Sequence, residues 1–110
     1  MTVQDITKIE GFTTVSLNDE SQEVKIAYTG DLLSDVIANV DEDAVLITVQ
    51  AHKNTIAVCS LSNMPAIIIC NGRSCPPDMI SAAEDNDISI FTTEDTQFLA
   101  SVKIAKALNL

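Results

Sequence analysis

Three short stretches carry the residues that can do chemistry. Thr29-Gly30-Asp31 stands between an apolar run and an amphipathic one, with Ser34 three residues on. Gln50-Ala51-His52-Lys53-Asn54 holds the only histidine, and Asn71-Gly72-Arg73-Ser74 runs into Cys75 and two prolines. A strand–glycine–helix junction is the layout of a phosphate-binding turn, where free helix amides and a closely approaching backbone hold an anion. Asp31 argues against that chemistry. As an N-cap it would accept from the amide of Leu33 or Ser34, filling the place of a phosphate and repelling one. The pattern G-x-x-x-x-G-K-[ST] is missing, and the three glycines, Gly11, Gly30 and Gly72, stand too far apart for a dinucleotide fingerprint.

The second stretch has two readings. Either Asn54 caps a helix while His52 bonds locally or faces solvent, or Gln50, His52 and Asn54 line a polar pocket beside Asp31 and Ser34. Adjacent parallel strands would bring those two turns together. The third stretch offers backbone amides, Ser74 and the one favourably placed cation, Arg73, so an anionic group can dock there. The expected ligand pocket is therefore Gly30, Asp31, Ser34, Gln50, His52, Asn54, Gly72 and Arg73. No catalytic constellation is recognisable, because Ser34 and His52 lack an identifiable third group. A phosphotransfer role through His52 or Ser34 stays open as an alternative. Thr92, Thr93 and Thr96 read as strand-end and cap residues.

Cys59 and Cys70 each lie in an apolar segment and read as small buried hydrophobes, while Cys75 falls in a turn. A redox or metal-linked role through Cys59, Cys70 and Cys75, with His52, is a further alternative. The five-residue step from Cys70 to Cys75 is wide for a zinc knuckle, and no second pair is available. No cofactor and no metal is expected.

Composition narrows the classes. The net charge of −10, from 16 acids and 6 bases, repels nucleic-acid backbones, and the scattered lysines form no basic stripe. No apolar run approaches a membrane span, and the N-terminal residues have no signal-peptide pattern, so the expected address is the cytoplasm. At 110 residues the chain reads as one domain able to bury a core. Its 46% apolar residues are mostly Ile, Val, Leu and Ala, with 4% aromatics, as suits a parallel sheet flanked by helices.

The elements that must position the three stretches alternate. A short helix is expected over 3–9 with Gly11 as its stop, then strands over 12–16 and 24–29. The segment 32–40 is helical, with Leu32–Val36 and Leu33–Ile37 as i,i+4 pairs. Strands follow at 44–50, 65–70 and 88–93, and helices at 54–62, 76–86 and 94–108. Met79, Ile80 and Ala83 form one inner stripe; Phe98, Val102 and Ala105 share a face of the last helix. From residue 24 onward this is a βαβ series, hence α/β in three layers with a mainly parallel sheet of about five strands. Ligands of such sheets bind at the carboxyl ends of the strands, where the three stretches lie.

The segment 65–108 resembles the C-terminal half of DRTGG domains and of the N-terminal domain of HPr kinase/phosphorylase. The resemblance rests on the strand Ile67–Ile69, Gly72, Pro77, Ala83, the strand Ile88–Ile90, and Thr93 and Thr96. "GDLLSDVIANV" with "ITVQAHKNTIAVCSL" is similar to small stand-alone relatives, often labelled HPr serine kinases, so that the likeness spans about residues 3–108. No Asp-Arg-Thr-Gly-Gly pentapeptide occurs. Kinase activity in the HPr enzyme belongs to a separate P-loop domain that these residues do not contain. The resemblance implies a MurF/HPr-kinase N-domain-like fold and a regulatory or interaction module, working as a homodimer and binding a protein partner or a small ligand. Such domains are sometimes joined to CBS domains, and stand-alone relatives are encoded near iron-hydrogenase and signalling genes.

Overall fold

The computed structural model describes residues 1–110. Helix α1 covers Val3–Ile6 and strand β1 Phe12–Ser16; β2 is Ile26–Thr29, α2 Leu33–Asn39, β3 Ala44–Thr48 and α3 Lys53–Leu61. Strand β4 is Ala66–Ile69, α4 Pro77–Asp85, β5 Ser89–Thr93 and α5 Gln97–Ala107. The five strands form one sheet in the order β1-β5-β4-β3-β2, parallel except for β1, which runs antiparallel to β5. The expected α/β sheet is therefore present, mostly parallel and flanked by helices.

Alternation along the strands sends two sets of side chains to opposite faces. Leu46, Ile67, Ile69 and Ile90 join Val36, Ile56, Met79 and Ala83, so α2, α3 and α4 share one face. Val45, Ile47, Ile68 and Phe91 join Val3, Ile6, Ala100 and Ile104, so α1 and α5 cover the other. Three successive crossovers between neighbouring strands keep their helices on one side when all have the same hand. Among the connections after β2, only the one leaving β5 reaches the far face.

Several boundaries differ from expectation for local reasons. Helix α1 stops at Ile6, and the chain continues to Ile9 in tighter i→i+3 turns, with Lys8 N–H on Asp5 O and Ile9 N–H on Ile6 O. Strand β2 begins at Ile26 because Val24 is paired with Met1: its N–H donates to Met1 O at 2.7 Å, and its carbonyl accepts from the N-terminal ammonium at 3.2 Å. In α4, Met79 and Ala83 are buried and Ile80 partly so, as expected. Helix α5 buries Ala100 and Ile104 and leaves Phe98 74% exposed. Its rotation is set by polar ties to the sheet, Gln97 to Asp31 and Ser101 to Thr29. In α2, Val36 is buried while Ile37, and Leu32 at the N-cap, face outward. No helix is long and apolar enough to cross a membrane.

Candidate functional site

The chain leaving β4 turns toward the face of α4, and the chain leaving β5 turns toward the face of α5. Where neighbouring strand ends send their loops to opposite faces, a crevice opens between them, and this is the favoured ligand position in open α/β sheets. A cleft of about 340 Å³ lies there, lined by Gly11, Thr13, Val15, the Gly72–Cys75 turn and Thr92–Glu94. Its floor comes from β1 and β5, where Thr13 stands directly opposite Thr92.

The wall is held by backbone bonds. Asn71 N–H donates to Asp95 O and Gly72 N–H to Thr93 O, both at 2.9 Å. Gly72 has φ +67°, and a Cβ there would collide with the carboxylate of Glu94. Glycine suits the position twice, because a side chain would meet a left-handed backbone penalty and would displace the Glu94 carboxylate. The amides of Ser74 and Cys75, and the hydroxyls of Ser74, Thr13 and Thr92, make no hydrogen bond within the chain. Prolines at 76 and 77 deprive the start of α4 of two amide donors, so the turn itself carries the donors. Burial holds the half-exposed Cys75 thiol above its ordinary pKa, which leaves it protonated at neutral pH.

The expected pocket residues divide into two groups. Asp31 is not an N-cap: the N-cap of α2 is Leu32, which makes no side-chain cap bond. Its Oδ1 instead accepts from Thr48 Oγ1 and Val49 N–H at 2.9 Å and from Gln97 Nε2 at 3.0 Å, while its carbonyl accepts from Gln50 Nε2 at 3.1 Å. Three donors outside its own helix compete successfully with the local amides. Arg73 Nη1 reaches Val49 O at 3.4 Å, so the ends of β2, β3 and β4 meet through Asp31, Gln50 and Arg73. Gly30 takes no positive φ; its N–H donates to Ile47 O at 3.1 Å, and a Cβ would press on the Tyr28 ring.

Ser34, His52 and Asn54 stay on the exposed rim. The cap of α3 is His52, not Asn54: His52 Nδ1 accepts from Asn54 N–H at 3.0 Å, which places its proton on Nε2. Ser34 and His52 make no hydrogen bond to each other. Cys59 and Cys70 lie in core clusters on opposite faces of the sheet, so no common ligand set forms. Burial pushes the Cys59 thiol up to about 12 and Cys70 to about 11, the latter helped by the charges of Asp95 and Asp31.

A second cavity, of about 410 Å³, opens at the amino ends of the strands between Glu42, Asn63, Asn86 and Asp87. Its polar groups largely satisfy one another: Gln22 Nε2 donates to Asp87 O, Ser60 Oγ to Asn86 Oδ1 and Asn63 Nδ2 to Glu42 Oε1. The carboxyl-end cleft is the one with unspent donors.

A family model for the HPr serine kinase N terminus matches residues 45–108, more than half of the chain. The chain belongs to that family. The match begins at β3 and runs through α5, so it includes the Gly72–Cys75 turn and Thr92–Glu94 of the cleft. No curated protein matches this HPr serine kinase N-terminal domain by sequence. Among solved structures, it is similar to the CBS and DRTGG domains of the regulatory region of Clostridium perfringens pyrophosphatase, complexed with the activator diadenosine tetraphosphate. The TM-score is 0.78 at 17% identity, over 97% of this chain and 47% of that one. The likeness establishes a DRTGG-type fold, and this chain spans about half the length of that structure.

Proposed function

We propose that the chain is a non-catalytic regulatory module that takes a small polar ligand in the cleft at the ends of β4 and β5, and that it works in the cytoplasm as a homodimer. The observation that carries this reading is the set of unpartnered donors on the Gly72–Cys75 turn and the β1–β5 floor, at the point where the strand-end loops diverge. Asp31, Gln50 and Arg73 extend the polar rim toward β3. The similar pyrophosphatase structure supports a regulatory role, since its DRTGG domain belongs to a region complexed with an activator. Leu32 and Phe98, each beside a partner of the Asp31–Gln97 bond, are 68% and 74% exposed, and they support a docking face for a second copy.

The test is a thermal-shift screen of metabolites and nucleotides, followed by amide chemical shifts for each compound that stabilises the fold. A ligand at about 100 times its Kd should contribute about 2.7 kcal/mol. Shifts centred on Ser74, Cys75 and Thr92 are expected. Shifts centred elsewhere would move the site, and turnover of ATP by the purified chain would end the non-catalytic reading.

A further inference from the structure

The polar groups of the cleft are of two unlike kinds. The turn offers hydrogen-bond donors: the amides of Ser74 and Cys75, the Ser74 hydroxyl and, at the rim, the guanidinium of Arg73. Arg73 is exposed, joins no ion pair and makes one long bond, 3.4 Å to Val49 O, so most of its N–H groups are free. These donors suit an oxyanion. Glu94 brings the only carboxylate, and it lies against the Cα of Gly72, where any side chain would strike it. It makes no ion pair or side-chain hydrogen bond within the chain.

A bare anion fits this arrangement poorly, because Glu94 repels it. A ligand whose anionic group has hydroxyls nearby fits well, because a carboxylate accepts from hydroxyls, as it does from ribose in dinucleotide-binding folds. Thr13 and Thr92, facing each other across β1 and β5, add two further hydroxyl partners on the floor. Val15 and Cys75 are the only apolar liners, too little to hold the side chain of an apolar amino acid. The volume of about 340 Å³ leaves room for a ligand as large as a sugar phosphate.

Building on the cleft as the ligand site, we infer that it recognises a polyhydroxylated phosphate ester of sugar-phosphate size. Ser74 and Arg73 hold the phosphate; Glu94, Thr13 and Thr92 read the hydroxyls. Glu94 is then the specificity residue, favouring the ester over free phosphate.

The experiment titrates the full chain with ribose 5-phosphate, ribose, inorganic phosphate, adenosine monophosphate and glycine, following the Ser74 and Cys75 amides and measuring Kd by calorimetry. Ribose 5-phosphate should bind at least about tenfold tighter than phosphate, a difference of about 1.4 kcal/mol. Glu94→Gln should collapse that ratio toward one, and Arg73→Gln should weaken both. Adenosine monophosphate binding as tightly as ribose 5-phosphate assigns the ester to a nucleotide, and weaker binding assigns it to a free sugar phosphate; either supports the inference. Equal affinity for phosphate, an unchanged ratio in Glu94→Gln, or amide shifts with glycine alone would overturn it while leaving the cleft as the ligand site. Shifts produced at these amides only by some other compound of the metabolite screen would do the same. Should no compound in either set move them, the inference and the site reading fall together.

Discussion

Asp31 Oδ1 and Gln97 Nε2 lie 3.0 Å apart although 66 positions separate them in the chain. The same oxygen accepts from Thr48 and Val49, so one carboxylate fastens the end of β2 to the end of β3 and to the first turn of α5. Asp31→Ala leaves three half-buried donors without their partner, and hydrogen bonds to charged groups are among the stronger kind. The expected loss is about 2–3 kcal/mol, read as a lower urea midpoint at unchanged m-value. Asp31→Asn keeps an acceptor and should lose about 1 kcal/mol. If Asp31→Ala unfolds within about 0.5 kcal/mol of the parent chain, the fastening role is wrong.

Gly72→Ala meets two penalties. A left-handed backbone costs a side-chain-bearing residue about 1–2 kcal/mol, and the new methyl strikes Glu94. Pairing it with Glu94→Ala should restore the steric part and leave the backbone part. A double-mutant cycle would therefore show coupling between the two positions, and strict additivity would show that Glu94 simply swings aside.

The thiols should be graded by burial. Cys59 and Cys70 are fully buried, so a maleimide at neutral pH should modify Cys75 alone until the chain unfolds. Alkali should destabilise the fold. The unfolded Cys59 thiol ionises near its ordinary 9.0, whereas the folded one holds its proton to about 12. Its stabilising contribution is complete below about pH 9 and declines as pH rises toward 12. In Cys59→Ala the decline between those values should be shallower, whatever the variant's stability at neutral pH.

Association is expected to depend on the outward apolar side chains beside the Asp31–Gln97 bond. At protein concentrations low enough to keep the parent chain monomeric, Leu32→Asp and Phe98→Asp should leave the unfolding midpoint nearly unchanged, since both side chains are exposed. Sedimentation equilibrium should move from a dimer toward a monomer. A parent chain that is already monomeric at high concentration would remove the dimer from the proposal.

How much of this was legible in the sequence follows from how local each feature is. Strands β3 and β4 announce themselves as apolar runs, because both faces are covered and every residue of Ala44–Thr48 and Ala66–Ile69 is buried. The turns after them could be located for the same reason, and Gly72 and Arg73 do line the cleft. Its floor could not be seen. Nothing in "FTTVS" states that β1 pairs antiparallel with β5, yet that pairing sets Thr13 against Thr92. Capping rules misplace Asp31 because they weigh neighbours in sequence, whereas its three donors arrive from the end of β3 and from α5. The rotation of α5 was hidden likewise, since Gln97 and Ser101 fix it through bonds to distant turns.

The antiparallel place of β1 at the edge beside β5 also has a consequence for how the molecule is made. Phe12, near the start of the chain, must find Thr93 near its end, with all three crossover helices emerging in between. On a ribosome adding about 5–20 residues per second, the wait for those roughly 80 residues is about 4–16 s. During it β1 is an unpaired strand beside a growing parallel sheet, and non-local pairings of this kind are slow to close. The cleft floor therefore forms only after β5 has emerged, and a chain interrupted before Ser89 could hold β2, β3, β4 and the Gly72–Cys75 turn while lacking Thr92, Thr93 and Glu94.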